Sequence, residues 1–577
     1  MLRVDVKNLF YKNYQKKRVL MNSKKLEKYN WICDCFFLLG MFLVLFPHFG
    51  KSRVPSILYP FFCYDTMIAV YPFAIFSILV IIWLFLKKEY KKIAFIVVAC
   101  GMYCLGNLII TWNGLTKIIG NVTDYDLSML DGSRLGFFNI VTKIFSNVAV
   151  STRLFMSEGL FAIYSGFTQY KDVFLVAFLI GFFYVDRVDT LKRLFFGGLI
   201  ATFALVSVFE IIEIPFLFNN EKSIEILKKI NPFFYDVYSD GVWWPPIIWQ
   251  DYVLRSVFAE PSFFGYYLGF TTVAFIHLLL NYKNKIVWAV LLFLSYWFSF
   301  LTNSRSGIML VLGGTVVYCL LFLIKEKKVK EILIVLLVLA LAFVETGFIE
   351  KIKSEHGTST ATVVKEEENT VVSPLDGNVF EVVKASFEPG DGIKSSILES
   401  SIIKTIKTVF SMDARSNVTR YGYTLAALNV GLENPILGVG QSYLGPYISE
   451  ELINSDRSNG ELGRWIKDQE EAGILNNIYS SFNQYTTLFA LGGVLGLLLD
   501  LFVFGFLVIY YVYFAIKMGI KNIKPYSIMV FSLLAVIAAW GFSGHFTSSY
   551  LYVITLGIGL SDVITCHRLL KHIKTNV

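Results

Sequence analysis

Apolar runs of about 20 residues recur along the chain, which is the length that a membrane-spanning helix needs. Short polar segments separate them, so each run predicts one span. One run, 173–185, is short and would have to begin upstream, across Lys171 and Asp172. The pattern predicts an all-α polytopic membrane protein with about 12 transmembrane helices, at 31–49, 67–86, 93–112, 173–185, 194–218, 260–280, 286–302, 307–324, 332–348, 484–513, 527–543 and 546–564.

Lysine and arginine residues cluster in segments that alternating spans would place on a single side. Nine lie in the tail before Trp31, and others lie at 87–92, 186–193, 281–285, 325–330, 517–524 and the C-terminus. Because such residues favour the cytoplasmic side, both termini are predicted to be cytoplasmic. The N-terminal tail has no short apolar core or cleavage site, so no removable signal peptide is expected.

The composition supports a membrane domain and excludes an ordinary soluble protein. Of the 577 residues, 55% are hydrophobic and 17% are charged, against about 25% charged residues in soluble domains. The net charge of +8 follows the clusters near the membrane, so no nucleic-acid partner is expected. The predicted organisation is a basic cytoplasmic tail (1–30), nine spans (31–348), a large extracytoplasmic loop (349–481), three spans (482–564) and a short cytoplasmic tail (565–577).

The predicted outer loop contains segments of different character. Residues 355–383 are polar, without helical periodicity, and are interpreted as a flexible insertion or a small strand-like flap. Helical spacing returns at 395–410 and 417–432, and an Asn434-Pro435 turn stops it. A loop of this length is unusual between helices and indicates a function on that side.

Glu260 precedes Pro261 at the outer start of a predicted span, among aromatic residues. Proline at the first helical position and a carboxylate before it are typical of a helix start. The alternative to this structural interpretation is a catalytic carboxylate held at the membrane boundary. Ionisable groups at membrane depth favour the catalytic hypothesis.

Arg305 lies in a polar turn, TNSRSG, that opens the next-but-one span on the same predicted face. A positive charge is disfavoured there by the positive-inside rule and by the helix dipole. An anionic partner would explain it, because arginine beside the backbone amides of a helix start suits phosphate. An ion pair with Glu260 is the structural alternative.

Two arginines, Arg415 and Arg420, begin the helical part of the outer loop, and Arg255 precedes the Glu260 segment. Each is ordinary by itself, and together with Arg305 they suggest an anionic substrate. Weaker candidates are Glu210 with Glu213, which share a helix face, and the DxD spacing of Asp124 and Asp126. The chain shows no Walker loop, GxSxG or zinc-like histidine spacing.

In their order along the chain, these segments resemble a known family. AEPSFFGYYL, the TNSRSG turn, a very long late loop, the R…NPILGVG segment and LFALGGVLGLLLDL are similar to bacterial O-antigen and exopolysaccharide repeat-unit polymerases (Wzy). The resemblance implies an inverting glycosyltransferase with a GT-C-like fold. Its substrate would be oligosaccharide units carried on undecaprenyl diphosphate, joined at the outer face of the bacterial inner membrane into O-antigen, capsule or exopolysaccharide.

The resemblance also implies roles for residues and partners. Arg305 and Arg420 match the outer-loop arginines of such enzymes, Arg255 and Arg415 are further substrate-binding candidates, and Glu260 is the expected base. A metal or other cofactor is not expected. The lipid-linked oligosaccharide and the membrane are the expected partners, with a chain-length regulator and a flippase as further candidates.

Two alternatives stay open. The superfamily also contains O-antigen ligases, which usually carry a histidine before the span that follows the long loop. The corresponding place here, 472–485, has Asn476 and Asn477 and no histidine, which favours polymerisation. A lipid-linked oligosaccharide flippase is the second alternative, although most span centres here carry no charge.

Overall fold

The computed structural model describes residues 27–47, 68–130, 132–235, 253–360, 415–457, 460–547 and 549–575. Within these ranges every regular element is helical, which confirms the all-α prediction. The helices are α1 27–43, α2 Val70–Leu86, α3 Tyr90–Ile118, α4 Asp124–Ser128, α5 Gly132–Ile144, α6 Val150–Gln169, α7 Val176–Tyr184, α8 Val188–Glu213, α9 Glu221–Ile230, α10 Pro261–Asn281, α11 Lys285–Leu301, α12 Arg305–Glu326, α13 Val329–Thr360, α14 Arg415–Glu433, α15 Leu444–Asn454, α16 Gly460–Ala472, α17 Gln484–Met518, α18 Pro525–Trp540 and α19 Tyr550–Thr575.

Eight helical stretches among the described residues are long and apolar enough to cross a membrane. Three shorter apolar helices, α2, α11 and α18, accompany them, and α1 overlaps the first predicted span. The protein is therefore a polytopic membrane protein, while the count of 12 spans stays a prediction. The eight stretches are Tyr90–Asn121, Val150–Tyr184, Val188–Phe218, Pro261–Asn281, Arg305–Glu326, Val329–Ile349, Gln484–Met518 and Tyr550–Arg568.

The weak predicted span at 173–185 does begin upstream, because α6 and α7 form one continuous path. A π-helical turn, Tyr170–Leu175, joins them and carries Lys171 and Asp172. The two side chains form an ion pair of 3.2 Å, which offsets the cost of placing their charges on an apolar helix. The predicted polar insertion lies outside the described residues, except that α13 continues through its start to Thr360.

α10 is the most deeply buried of the eight spans, and glycine brings α12 unusually close to it. A Cβ placed on Gly265 would lie only 2.5 Å from the Cα of Gly307. Small residues permit this backbone approach between membrane helices. The contact lies one turn inside each helix and therefore brings the two N-termini side by side.

The described part of the predicted outer loop, α14 to α16, has its own core and fits into a bend of α17. The bend is at Gly493, whose φ of 58° and ψ of −152° are not helical. The turn after α14 enters this bend, where the Val439 N–H donates to the Ala490 carbonyl and the Val494 N–H donates to the Pro435 carbonyl, at 2.9 and 2.8 Å. The predicted Asn434-Pro435 stop is confirmed and secures α14 against α17.

A buried ion pair also ties this loop region to the membrane helices. Arg134 of α5 donates through Nε and Nη2 to the Glu158 carboxylate, at 3.1 and 2.8 Å. The Tyr443 hydroxyl donates to the same carboxylate at 2.8 Å, and Arg134 also donates to the Leu475 carbonyl. The paired charges and their additional hydrogen bonds therefore fix the loop region on α5 and α6.

Candidate functional site

The two neighbouring helix starts form the floor of the candidate site. Pro261 is the first residue of α10 and Glu260 precedes it, as the sequence predicts. Arg305 is the first residue of α12, and the Ser304 hydroxyl caps the helix by accepting the Gly307 N–H at 3.3 Å. Two adjacent helix N-termini direct unpaired backbone N–H groups and positive dipole ends toward the same space.

A cavity of about 800 Å³ opens above these helix starts. Its lining includes Glu260, Arg305 and Arg420, which come from α10, α12 and α14 and are far apart in the sequence. We call this space the arginine cavity. The structure thus brings together the three residues predicted to be catalytic, although their roles stay predictions.

Arg305 and Arg420 face the same cavity closely enough for their positive charges to interact. The Arg305 guanidinium donates from Nη1 to the Asn417 side-chain oxygen at 3.0 Å. A guanidinium carries five N–H donors in a planar fork. Two like charges held together at a helix start favour an anion that neutralises both.

Arg420 is oriented by contacts with two other parts of the chain. Its Nη1 donates to the Ser543 carbonyl at 3.2 Å, and its guanidinium lies 5.6 Å from the centre of the Phe482 ring. The aromatic face and the carbonyl fix the plane of the guanidinium. Arg420 is therefore held in place before any substrate binds, which suits bidentate recognition.

Glu260 lies on the wall of the same cavity. Its carboxylate accepts a hydrogen bond from the Ser262 hydroxyl at 2.9 Å, and the adjoining helix start favours its negative charge. A carboxylate so placed can accept a proton from a hydroxyl group in the cavity.

Arg255 occupies a different position from the one predicted. It is 2% exposed, its guanidinium lies 4.8 Å from the centre of the Tyr235 ring, and its Nη1 donates to the Ala259 carbonyl at 3.2 Å. Burial lowers the pKa of Arg255, and Tyr235 and Glu213 act in the opposite direction. Because Arg255 does not line the arginine cavity, its placement favours a structural role, and substrate contact stays a prediction.

Glu213, one of the weaker candidates, positions the segment that leads to α10. Its carboxylate accepts the backbone N–H groups of Arg255 and Ser256, the latter at 2.7 Å. Ser256 has a positive φ of 54°. The carboxylate therefore stabilises a sharp turn before Glu260. Glu210 is buried beside Glu213 and does not line the cavity.

The remaining predicted residues lie elsewhere. Arg415 begins α14, but its side chain is outside the described part of the structure. Asp126 caps α4 by accepting from Thr123, and it also accepts the Ile474 N–H at 2.9 Å. Burial alone would raise the pKa of Asp126, but these hydrogen bonds lower it below its ordinary value. The Asp126 carboxylate is therefore engaged in joining α4 to the loop region.

Reasoning from the sequence did not identify three contributors to the cavity. Asn417 and Ser543 hold the two arginines, and Phe542 lines the cavity with 68% of its surface exposed. For Phe542 and Ser543 the local signal is the polar segment GFSGHFTSS at 541–549, where the last two predicted spans meet. Below the polar groups the lining becomes apolar, with Met309 and Gly313 on α12. The cavity therefore suits an amphiphile with an anionic head and an apolar chain.

Comparison with known proteins places part of the chain in a family. Residues 288–501, less than half of the chain, match the Wzy_C family model, which is described as O-antigen ligase. The match includes Arg305 and Arg420 and excludes Glu260. Comparisons with curated proteins and with solved structures gave no match. Residues 288–501 therefore match a domain of the O-antigen ligase/polymerase superfamily, and members of the matched family are membrane enzymes of glycan transfer.

Proposed function

We propose that the protein polymerises oligosaccharide repeat units carried on undecaprenyl diphosphate into a surface polysaccharide. The family supports the broader function of glycan transfer. The observation that carries the finer proposal is the arginine cavity, where Arg305, Arg420 and Glu260 meet at two helix starts. The proposal includes a location in the bacterial inner membrane, cytoplasmic termini and an extracytoplasmic cavity.

The proposed reaction is an inverting glycosyl transfer with a diphosphate leaving group. An acceptor sugar hydroxyl attacks the anomeric carbon of a second unit and forms a new C–O bond. The bond from that carbon to the diphosphate oxygen breaks, and the lipid diphosphate leaves with the electron pair. The hydroxyl proton passes to the Glu260 carboxylate. Arg305 and Arg420 neutralise the developing charge on the diphosphate.

The shape of the cavity suits the lipid as well as its head group. From the arginines the lining continues along α12 past Met309 to Gly313, where a Cβ would meet no atom within 4 Å. Ala539 and Phe542 line the cavity after α18. An isoprenoid chain can follow this apolar surface into the bilayer while the diphosphate stays at the arginines.

Ligation to another acceptor is the closest alternative function. Asn476 and Asn477 occupy the place where a ligase histidine is expected, and neither lines the arginine cavity. Asn476 instead accepts from Arg134 at 3.3 Å and donates to the Met129 carbonyl at 3.1 Å. These structural contacts favour polymerisation over ligation.

Deletion of the gene, followed by electrophoresis of the surface polysaccharide, tests the proposed function. We expect long chains to disappear while single capped units remain. Loss of capped units as well would indicate ligation or transport and would contradict the proposal. Complementation with the wild-type gene controls for effects on neighbouring genes.

A further inference from the structure

A second cavity, of about 140 Å³, lies on the other side of the first turn of α10. It is lined by the aromatic side chains of Phe263, Tyr266, Trp540 and Tyr550, with His545 among them. We call it the aromatic cavity. Neither Glu260 nor an arginine lines it, so its ligand chemistry differs from that of the arginine cavity.

A single carbonyl connects the two cavities. Ser543 lines the arginine cavity, and its carbonyl accepts from Arg420 at 3.2 Å and from the Tyr266 hydroxyl at 3.3 Å. Glu260 and Ser262 lie on the arginine side of the helix start, and Phe263 lies on the aromatic side. A ligand in the aromatic cavity therefore lies beside the helix start that carries the proposed base, Glu260.

The aromatic cavity contains polar groups that an isoprenoid chain would leave unsatisfied. Trp540 is 7% exposed, and its Nε1–H has no hydrogen-bond partner among the described residues. A buried donor without a partner costs about 1–3 kcal/mol, so a ligand that accepts this hydrogen bond is favoured. The Tyr266 hydroxyl donates to Ser543, and its oxygen can also accept.

Gly544 lies directly against these two polar tips. A Cβ on Gly544 would lie 3.0 Å from the Tyr266 hydroxyl and 3.1 Å from Trp540 Nε1. The backbone of Gly544 does not require glycine, because its φ lies outside the left-handed range. A methyl group at this position would therefore press on one hydrogen-bond donor and one acceptor, which belong to residues lining the aromatic cavity.

The rings themselves provide an apolar surface beside these polar groups. The Tyr266 and Trp540 ring centres are 4.5 Å apart, at an interplanar angle of 33°. A pyranose ring has C–H faces that pack on aromatic rings and hydroxyls at its edge that both donate and accept. An isoprenoid chain matches only the aromatic surface.

We propose that the aromatic cavity binds a sugar ring of the acceptor oligosaccharide, with Trp540 and Tyr266 as its hydrogen-bonding and packing partners. The choice of acceptor rests on the proposed function, because the diphosphate of the leaving unit is assigned to the arginine cavity. The acceptor hydroxyl then reaches Glu260 from the side opposite the arginines.

Binding of free oligosaccharide to the full-length protein in nanodiscs tests this proposal without requiring catalysis. The probe is the repeat-unit oligosaccharide released by mild acid from lipid carriers of the producing cells, and saturation-transfer NMR detects its binding. We expect the wild type to bind the oligosaccharide. Trp540→Phe keeps an aromatic ring and removes the Nε1 donor, which should weaken binding about threefold to tenfold. Gly544→Ala should weaken it by about tenfold.

Trp297→Phe is the matched control, because Trp297 Nε1 is also buried without a partner among the described residues, and Trp297 lines neither cavity. It should bind the oligosaccharide as the wild type does. The proposal would be overturned if the wild type, Trp540→Phe and Gly544→Ala bound the oligosaccharide equally. It would also be overturned if a short polyprenol, and not sugar, competed for the cavity. If deletion of the gene shows no role in polymerisation while sugar binding still depends on Trp540, only the proposed function is overturned.

Discussion

The contact between Gly265 and Gly307 sets the distance between the two helix starts, so a methyl group there should disturb the site. In Gly265→Ala the new Cβ would lie 2.5 Å from the Gly307 Cα. Ordinary contact between carbon atoms needs about 3.5 Å or more. Because the opposing atom belongs to the backbone, α10 and α12 must separate by about 1 Å.

That displacement moves Glu260 relative to Arg305 without removing either side chain. Overpacking of this kind costs about 1–3 kcal/mol of stability, which a large membrane domain can tolerate. A misplacement of about 1 Å at reacting groups can lower a rate about 100-fold. We therefore expect Gly265→Ala to reach the membrane in normal amount and to produce only very short polysaccharide.

The assay complements a gene-deletion strain and compares polysaccharide length by electrophoresis with protein abundance by immunoblot. Gly307→Ala should reproduce the defect, because it inserts a methyl group into the same contact from α12. Gly505→Ala is the control, since a Cβ there meets no atom within 4 Å. Wild-type polymer from Gly265→Ala at normal abundance would refute the argument that this contact positions the site.

Three further predictions concern the loop region, the metal requirement and the topology. Glu158→Ala should destabilise the protein by about 3–5 kcal/mol because it leaves Arg134 buried without its carboxylate. Limited proteolysis should then cleave the variant earlier than the wild type, and equal resistance would contradict this prediction. Polymerisation should continue in chelator and in Asp124→Ala, whereas loss that magnesium or manganese restores would show a metal requirement. Thr358→Cys should react with an impermeant thiol reagent in spheroplasts, and Lys327→Cys should not. The reverse labelling pattern would show that the predicted topology is wrong.

Local chemistry explains why the helix starts of the site were predictable. Proline at the first position fixes the start of α10 at Pro261, and the TNSRSG turn fixes the start of α12 at Arg305. The face shared by Glu260 and Arg305 also follows from the alternation of spans. These features depend on residues within a few positions of each other and on the membrane.

The remaining contacts depend on tertiary packing and could not be read from the chain. Arg420 meets Ser543 across 123 positions, and Arg305 meets Asn417 across 112. The bend at Gly493 brings α14 to this point, and the Gly492-Gly493 pair permits a bend there without specifying its size or direction. Arg255 shows the same dependence on packing. Its proximity in sequence to Glu260 suggested a substrate-binding residue, its side chain packs on Tyr235, and substrate contact stays a prediction.

The most direct test of the central claim measures polymer formation by purified protein in liposomes with extracted undecaprenyl-diphosphate-linked units. The account predicts that Arg305→Ala and Arg420→Ala each lower the rate at least about 100-fold, since each removes a preorganised charge contact to the leaving diphosphate. The corresponding lysine variants should retain the charge, lose the planar guanidinium and stay strongly impaired. Wild-type rates from either alanine variant, at equal incorporation into liposomes, would contradict the account.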